Sequence, residues 1–149
     1  MTWVCRNEEH VEVRALLTPQ ARARVEIKGW THQAALREIY DAHGIFLYPS
    51  LFDGFGKVFL EAMARGLCVI GTRSGGMPDI IEDGADGLLV GFNDGPALAA
   101  AVRQLQASSE VAQRMAQAAA QKARTYSWRR VGLETLAFYE RLTANARPA

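Results

Sequence analysis

Cysteine is scarce: Cys5 and Cys68 are the two in 149 residues, both in apolar, strand-like settings. Without a third or fourth, a disulfide framework and a cysteine-held zinc site are both disfavoured, and the pair reads as buried reduced thiols of a cytosolic protein. The three histidines, His10, His32 and His43, lack metal-ligand spacing and read as surface residues, so no metal site and no cofactor are expected. An excess of charge of one sign is also missing. Seventeen basic residues face 16 acidic ones for a formal net charge of +1, which argues against a nucleic-acid groove or a polybasic membrane anchor and leaves a peripheral contact at the inner membrane open. No apolar run approaches the roughly 18 residues of a membrane span, and no basic leader with an apolar core opens the chain. Internal repeats and low-complexity linkers are lacking as well.

What is present is an ordinary globular composition, 49% hydrophobic and 22% charged, enough for one domain over residues 1–142 with a short frayed tail at 143–149. Thr2 to Cys5 is a short apolar run, and Glu8 to Leu17 has a helical pattern that Pro19 stops. Val25-Glu26-Ile27 reads as a strand closed by Gly29. Thr31 is placed to cap a helix carrying Leu36, Ile39 and Tyr40, which Gly44 ends. Ile45 to Tyr48 and Cys68 to Ile70 are continuous apolar runs, the pattern of strands covered on both faces. Asp79 to Glu82 reads as one helical turn, and Leu88-Leu89-Val90 as a last strand after the turn pairs Asp83-Gly84 and Asp86-Gly87. Strands alternating with helices give an α/β class, a Rossmann-like parallel sheet with helices on both faces. Alanine-rich helices follow from Pro96, capped in turn by Ser108 or Ser109 and by Ser127; the last carries Trp128, Val131, Leu136, Phe138 and Tyr139.

The chain is organised around Phe46 to Gly66. Pro49 and Ser50 end a strand, Asp53-Gly54-Phe55-Gly56 form a turn, and Lys57 to Arg65 reads as a helix with Gly66 at its C-cap. The first amides of such a helix lack intrahelical partners and sit at the positive end of its dipole, so phosphate or sugar oxygens can be held there. Most Asp-Gly-x-Gly turns are merely turns; here Asp53 and Glu61 flank the helix start, and a second glycine-rich loop, Thr72 to Pro78, follows the next strand.

The run PSLFDGFGKVFLEAMARGLCVIGTRSGGMPDIIEDGADGLLV resembles the nucleotide-sugar-binding, C-terminal half of retaining GT-B glycosyltransferases, in particular family 4. Val25 to Gly29, Phe46 to Ser50, Gly75-Gly76-x-Pro-Asp and Ser127-Trp128 are each similar to family motifs, over about residues 25–142. The family's two acids, separated by seven residues, fall on Asp53 and Glu61, with Asp53 shorter by one methylene than the usual Glu. The resemblance implies that these two acids serve catalysis. It also implies that the backbone of Gly54, Phe55, Gly56, Lys57 and Val58 holds sugar hydroxyls and the distal phosphate, and that Glu61 accepts from the ribose hydroxyls. Ser50, Gly75 and Gly76 would line the same crevice, and Trp30 and Thr31 would edge the base of a UDP-, GDP- or ADP-hexose, beyond the carboxyl end of their strand.

Two features of the family have no counterpart among these residues: the acceptor-binding N-terminal domain, and a first strand followed by a Gly-Arg and Lys clamp on the diphosphate. One missing preorganised donor costs about 3–4 kcal/mol of transition-state stabilisation, so the isolated chain is expected to show little transfer of hexose to a saccharide or lipid-linked acceptor. The alternatives are a non-catalytic nucleotide-sugar-binding module and part of a GT-B sugar-nucleotide epimerase. An exposed, truncated sheet edge would favour a homodimer.

Overall fold

The computed structural model describes residues 1–145, which divide into two compact units beginning at Met1 and at His43. In the first unit, strand β1 (Thr2–Cys5) pairs in parallel with β2 (Glu26–Gly29). A 3₁₀ turn (Asn7–Glu9) and helix α1 (His10–Leu16) connect them, followed by α2 (Pro19–Arg22). Helix α1 ends at Leu16, ahead of Pro19 as expected, and Pro19 also opens α2: its fixed φ suits the first turn, and the Thr18 hydroxyl caps it by accepting from the Ala21 amide at 3.2 Å. Helix α3 (Gln33–Asp41) is capped by His32, whose Nδ1 accepts from Ala35 N at 3.3 Å, one residue later than the Thr31 cap expected. It ends at Ala42, before Gly44, with the Ala42 amide bonded back to Glu38.

The second unit carries β3 (Ile45–Tyr48), α4 (Lys57–Ala64), β4 (Cys68–Thr72), the short α5 (Met77–Ile80) and β5 (Leu88–Val90). Its parallel sheet has the order β3-β4-β5, with Leu47 opposite Ile70 and Gly71 opposite Leu89. All five residues of β4 are buried, as a central strand covered on both faces must be. Helices α6 (Gly95–Ala107), α7 (Ser109–Ala123) and α8 (Trp128–Asn145) follow. The fold is α/β, parallel sheets with helices on both sides.

The core lies between this sheet and the helices. Cys68, Ile70 and Leu88 pack with Ala101 and Leu105 of α6 and Met115 of α7. Phe59, Ala62 and Met63 of α4 are fully buried. The alanines of α7 let it lie close to α4, and small side chains at such a crossing shorten the distance between helix axes. Both cysteines are buried and free, and burial pushes both thiols up. Asp94 and Ser108 cap α6 and α7 through Ala97 N at 2.9 Å and Val111 N at 3.3 Å. Ser127 accepts from Arg130 N at 3.2 Å at the start of α8. Helix α8 leaves Trp128, Val131, Phe138, Tyr139 and Leu142 exposed. It continues through Asn145, past Leu142, where the sequence put the start of a tail; residues 146–149 lie outside the described residues. No described helix is long and apolar enough to cross a membrane.

Candidate functional site

Strand β3 delivers the loop that precedes α4. At its last residue the Tyr48 hydroxyl donates to Asp53 Oδ2 at 2.6 Å, which bends the loop back onto the strand end. The Ser50 hydroxyl donates to the Phe52 carbonyl at 3.2 Å, tightening the first turn. Phe52 is 78% exposed, whereas Phe55 sets its ring 6.2 Å from that of Tyr126. Gly56 closes the loop as the N-cap of α4 with φ 65° and ψ 66°, a left-handed conformation for which glycine is suited. A Cβ there would stand 2.2 Å from the ring of buried Phe59. Because glycine has no capping side chain, no side chain closes the first turn of α4, and the dipole's positive end faces the loop.

The second glycine-rich loop lies directly against the first. Gly76 N donates to the Asp53 carbonyl at 3.0 Å, and the Ser74 hydroxyl donates to the Leu51 carbonyl at 2.7 Å. The contact is too close for a side chain: a Cβ on Gly75 would stand 2.1 Å from the Asp53 oxygen, and one on Gly76 2.2 Å from the Gly54 oxygen. Beyond this loop Arg73 donates to Asp83 Oδ2 at 2.6 Å and to the Leu89 carbonyl at 3.3 Å, while Asp83 Oδ1 accepts from Leu89 N at 2.9 Å. Asp86, buried, accepts from Glu82 N at 2.8 Å and from Lys122 Nζ at 2.6 Å, tying the α5–β5 connection to α7. Asp86 thus holds the amide of Glu82, the last residue of the helical turn expected at Asp79 to Glu82. The turn forms earlier, at Met77–Ile80, where Met77 and Ile80 are drawn into the core.

Of the residues singled out from sequence, Ser50, Asp53, Gly54, Phe55, Gly56, Lys57, Val58, Glu61, Gly75 and Gly76 all belong to these two loops and α4. Lys57 is exposed, Val58 and Glu61 partly buried, and Glu61 sits in the second turn of α4. Trp30, 77% exposed, and Thr31 follow β2 in the first unit. His10 and His43, expected at the surface, are partly buried, and His10 Nε2 is enclosed. A cavity of about 220 Å³ in the first unit, lined by His10, Val11, Arg14 and Ile27, involves none of the site residues. Among the described residues no three His, Cys, Asp or Glu side chains cluster as a metal set.

The family model described as Glycosyl transferases group 1 matches residues 1–108. The chain belongs to this family. Alpha-maltose-1-phosphate synthase of Mycobacterium tuberculosis strain CDC 1551 is 33% identical over 144 residues, 89% of this chain and 37% of that protein. Among solved structures, sucrose-phosphate synthase (tll1590) from Thermosynechococcus elongatus superposes with a TM-score of 0.85 at 25% identity, over 97% of this chain and 39% of the other. Anabaena Alr3699/HepE in complex with UDP superposes with a TM-score of 0.79 at 22% identity, over 96% of this chain and 40% of the other. This glycosyl transferase chain thus spans about 37–40% of these relatives, and its fold is that of the C-terminal half-domain of GT-B glycosyltransferases.

In this group 1 glycosyl transferase chain, sequence reasoning missed Tyr48 and Ser74, which tie the two loops in place. A signal for Tyr48 existed: a phenol ending an otherwise apolar strand needs a partner for its hydroxyl. Ser74 carried none, since its acceptor is 23 residues away.

Proposed function

We propose that the chain is the donor-binding part of a retaining glycosyltransferase, which transfers a hexose from a nucleoside diphosphate sugar to a saccharide or lipid-linked acceptor. The observation that carries this reading is the seating of the Gly75-Gly76 loop on the backbone of Asp53 and Gly54 beside the uncapped start of α4, in a chain of the group 1 family. The helix-start amides from Gly54 to Val58 would receive the distal phosphate and sugar hydroxyls. Asp53 would accept from the sugar. Glu61, four residues into α4 and so about 6 Å along its axis, would accept from the ribose hydroxyls. In the transfer, the bond from the anomeric carbon to the phosphate oxygen breaks and one to the acceptor oxygen forms, with the acceptor's proton released. Developing charge on the leaving diphosphate is what the helix start would stabilise.

Relatives of this fold that bind UDP support a nucleotide ligand. The acceptor would be held by parts of the protein outside this chain, so turnover by the chain alone is expected to be slight. Two buried free thiols suit a reducing, cytosolic setting, and a part in polysaccharide biosynthesis would follow from a saccharide acceptor.

Calorimetric titration with UDP-glucose, GDP-mannose and ADP-glucose, each alongside its nucleoside diphosphate, tests this. One base is expected to bind, and Glu61→Ala should weaken the nucleotide and its sugar alike by about tenfold. Nucleoside diphosphate binding untouched by Glu61→Ala would refute the ribose contact.

A further inference from the structure

We propose that Tyr48 is a specificity-determining positioning residue: its phenol fixes the Asp53 carboxylate so that Oδ1 accepts a hydroxyl of the donor hexose. This rests on the reading of the two loops as a nucleotide-sugar site. Tyr48 is the last residue of β3, opposite Gly71 of the buried central strand. Its ring stacks on Phe46, centroids 5.8 Å apart at 16°, and leans on fully buried Phe59 at 6.2 Å. The phenol is therefore aimed by packing on two sides.

Its 2.6 Å hydrogen bond to Oδ2 holds one end of the aspartate side chain, while the Gly76 amide holds the main chain of the same residue through its carbonyl. With both ends tied, the carboxylate has one orientation. A carboxylate offers about four lone-pair positions. Tyr48 occupies one, and among the described residues Oδ1 has no hydrogen-bond donor. Burial and the bond to Asp53 also push the Tyr48 phenol up to about 12, so it remains a donor at any physiological pH.

The role is one of selection more than affinity. A hydrogen bond from a sugar hydroxyl to Oδ1 exists only for a ligand that carries the sugar, so Tyr48 separates the nucleotide-sugar from the bare nucleotide. Tyr48→Phe keeps the stacked ring and removes only the hydroxyl. Freed of its tether, Asp53 must then be ordered by the ligand itself.

Titration of the whole chain with UDP and UDP-glucose, and with the GDP and ADP pairs, provides the test. For the base that binds, Tyr48→Phe should weaken the hexose conjugate by about tenfold and leave the nucleoside diphosphate within about twofold. Asp53→Asn should lower the same ratio, and adding Tyr48→Phe to it should change little further. Equal weakening of both ligands by Tyr48→Phe would mark a structural role and overturn the proposal, as would an unchanged ratio. Wild type binding the nucleotide and its sugar equally well would overturn the Asp53 contact while leaving the nucleotide reading intact; no binding of either would overturn both.

Discussion

An alanine at position 75 would test how the two loops meet. Gly75 has φ 57°, and a Cβ there would stand 2.1 Å from the Asp53 carbonyl oxygen. The left-handed conformation costs an L-residue about 1–2 kcal/mol, less the ~0.4–1 kcal/mol gained by stiffening the unfolded chain. Forcing an extra carbon against backbone adds about 1–3 kcal/mol. Any shift of Asp53 that relieved the clash would stretch the Gly76 N–H bond to it, worth about 1 kcal/mol. Gly75→Ala should therefore destabilise by about 3 kcal/mol, a sizeable part of the ~5–15 kcal/mol of an ordinary domain. Two further glycines separate the contributions. Gly84 has φ 84° with nothing within 4 Å of its would-be Cβ, so Gly84→Ala should cost only the conformational part, about 1 kcal/mol or less. Gly76 has φ −79° and a 2.2 Å approach to the Gly54 oxygen, so Gly76→Ala should cost the steric part, about 2 kcal/mol. Urea unfolding midpoints at constant slope measure all three. Gly75→Ala no more destabilising than Gly84→Ala would refute the close seating of the loops.

Asp86→Ala should destabilise by about 3 kcal/mol, because it orphans the half-buried Lys122 ammonium and the Glu82 amide together. Lys122→Met in that background should cost much less than alone, and strictly additive urea midpoints would show that the pair is not coupled. Tyr48, raised from 10.0 to about 12 first by burial and then by Asp53, has a folded pKa above its unfolded one. Its contribution to stability is whole below pH 10 and is lost as pH rises toward 12. Between those values wild type should lose stability more steeply than Tyr48→Phe; parallel alkaline unfolding curves would count against the Tyr48–Asp53 bond.

Much of the second unit was legible because its signals are local. Continuous apolar runs between turn residues gave β3, β4 and β5 within a residue or two, and the start of α4 followed from glycines just before a helical pattern. Caps slipped where two neighbours could serve: His32 captured the Ala35 amide in place of Thr31. Gly95 begins α6 one residue before Pro96, because the Asp94 carboxylate reaches Ala97. Helix α5 moved two residues toward the N-terminus because Met77 enters the core while Asp83 and Asp86 occupy the backbone that follows.

By itself the sequence determined the alternation of strand and helix, the membership of Asp53 and Glu61 in one loop-helix segment, and the family. Those depend on spacing along the chain, which a linear pattern records. Tertiary structure alone decided that Gly75 and Gly76 are glycine because the Asp53–Gly54 backbone lies against them, that Lys122 answers Asp86 from 36 residues away, and that the partner of the Tyr48 hydroxyl is Asp53 Oδ2. Each depends on which surfaces the sheet and helices bring within hydrogen-bonding range, and no local propensity carries that information.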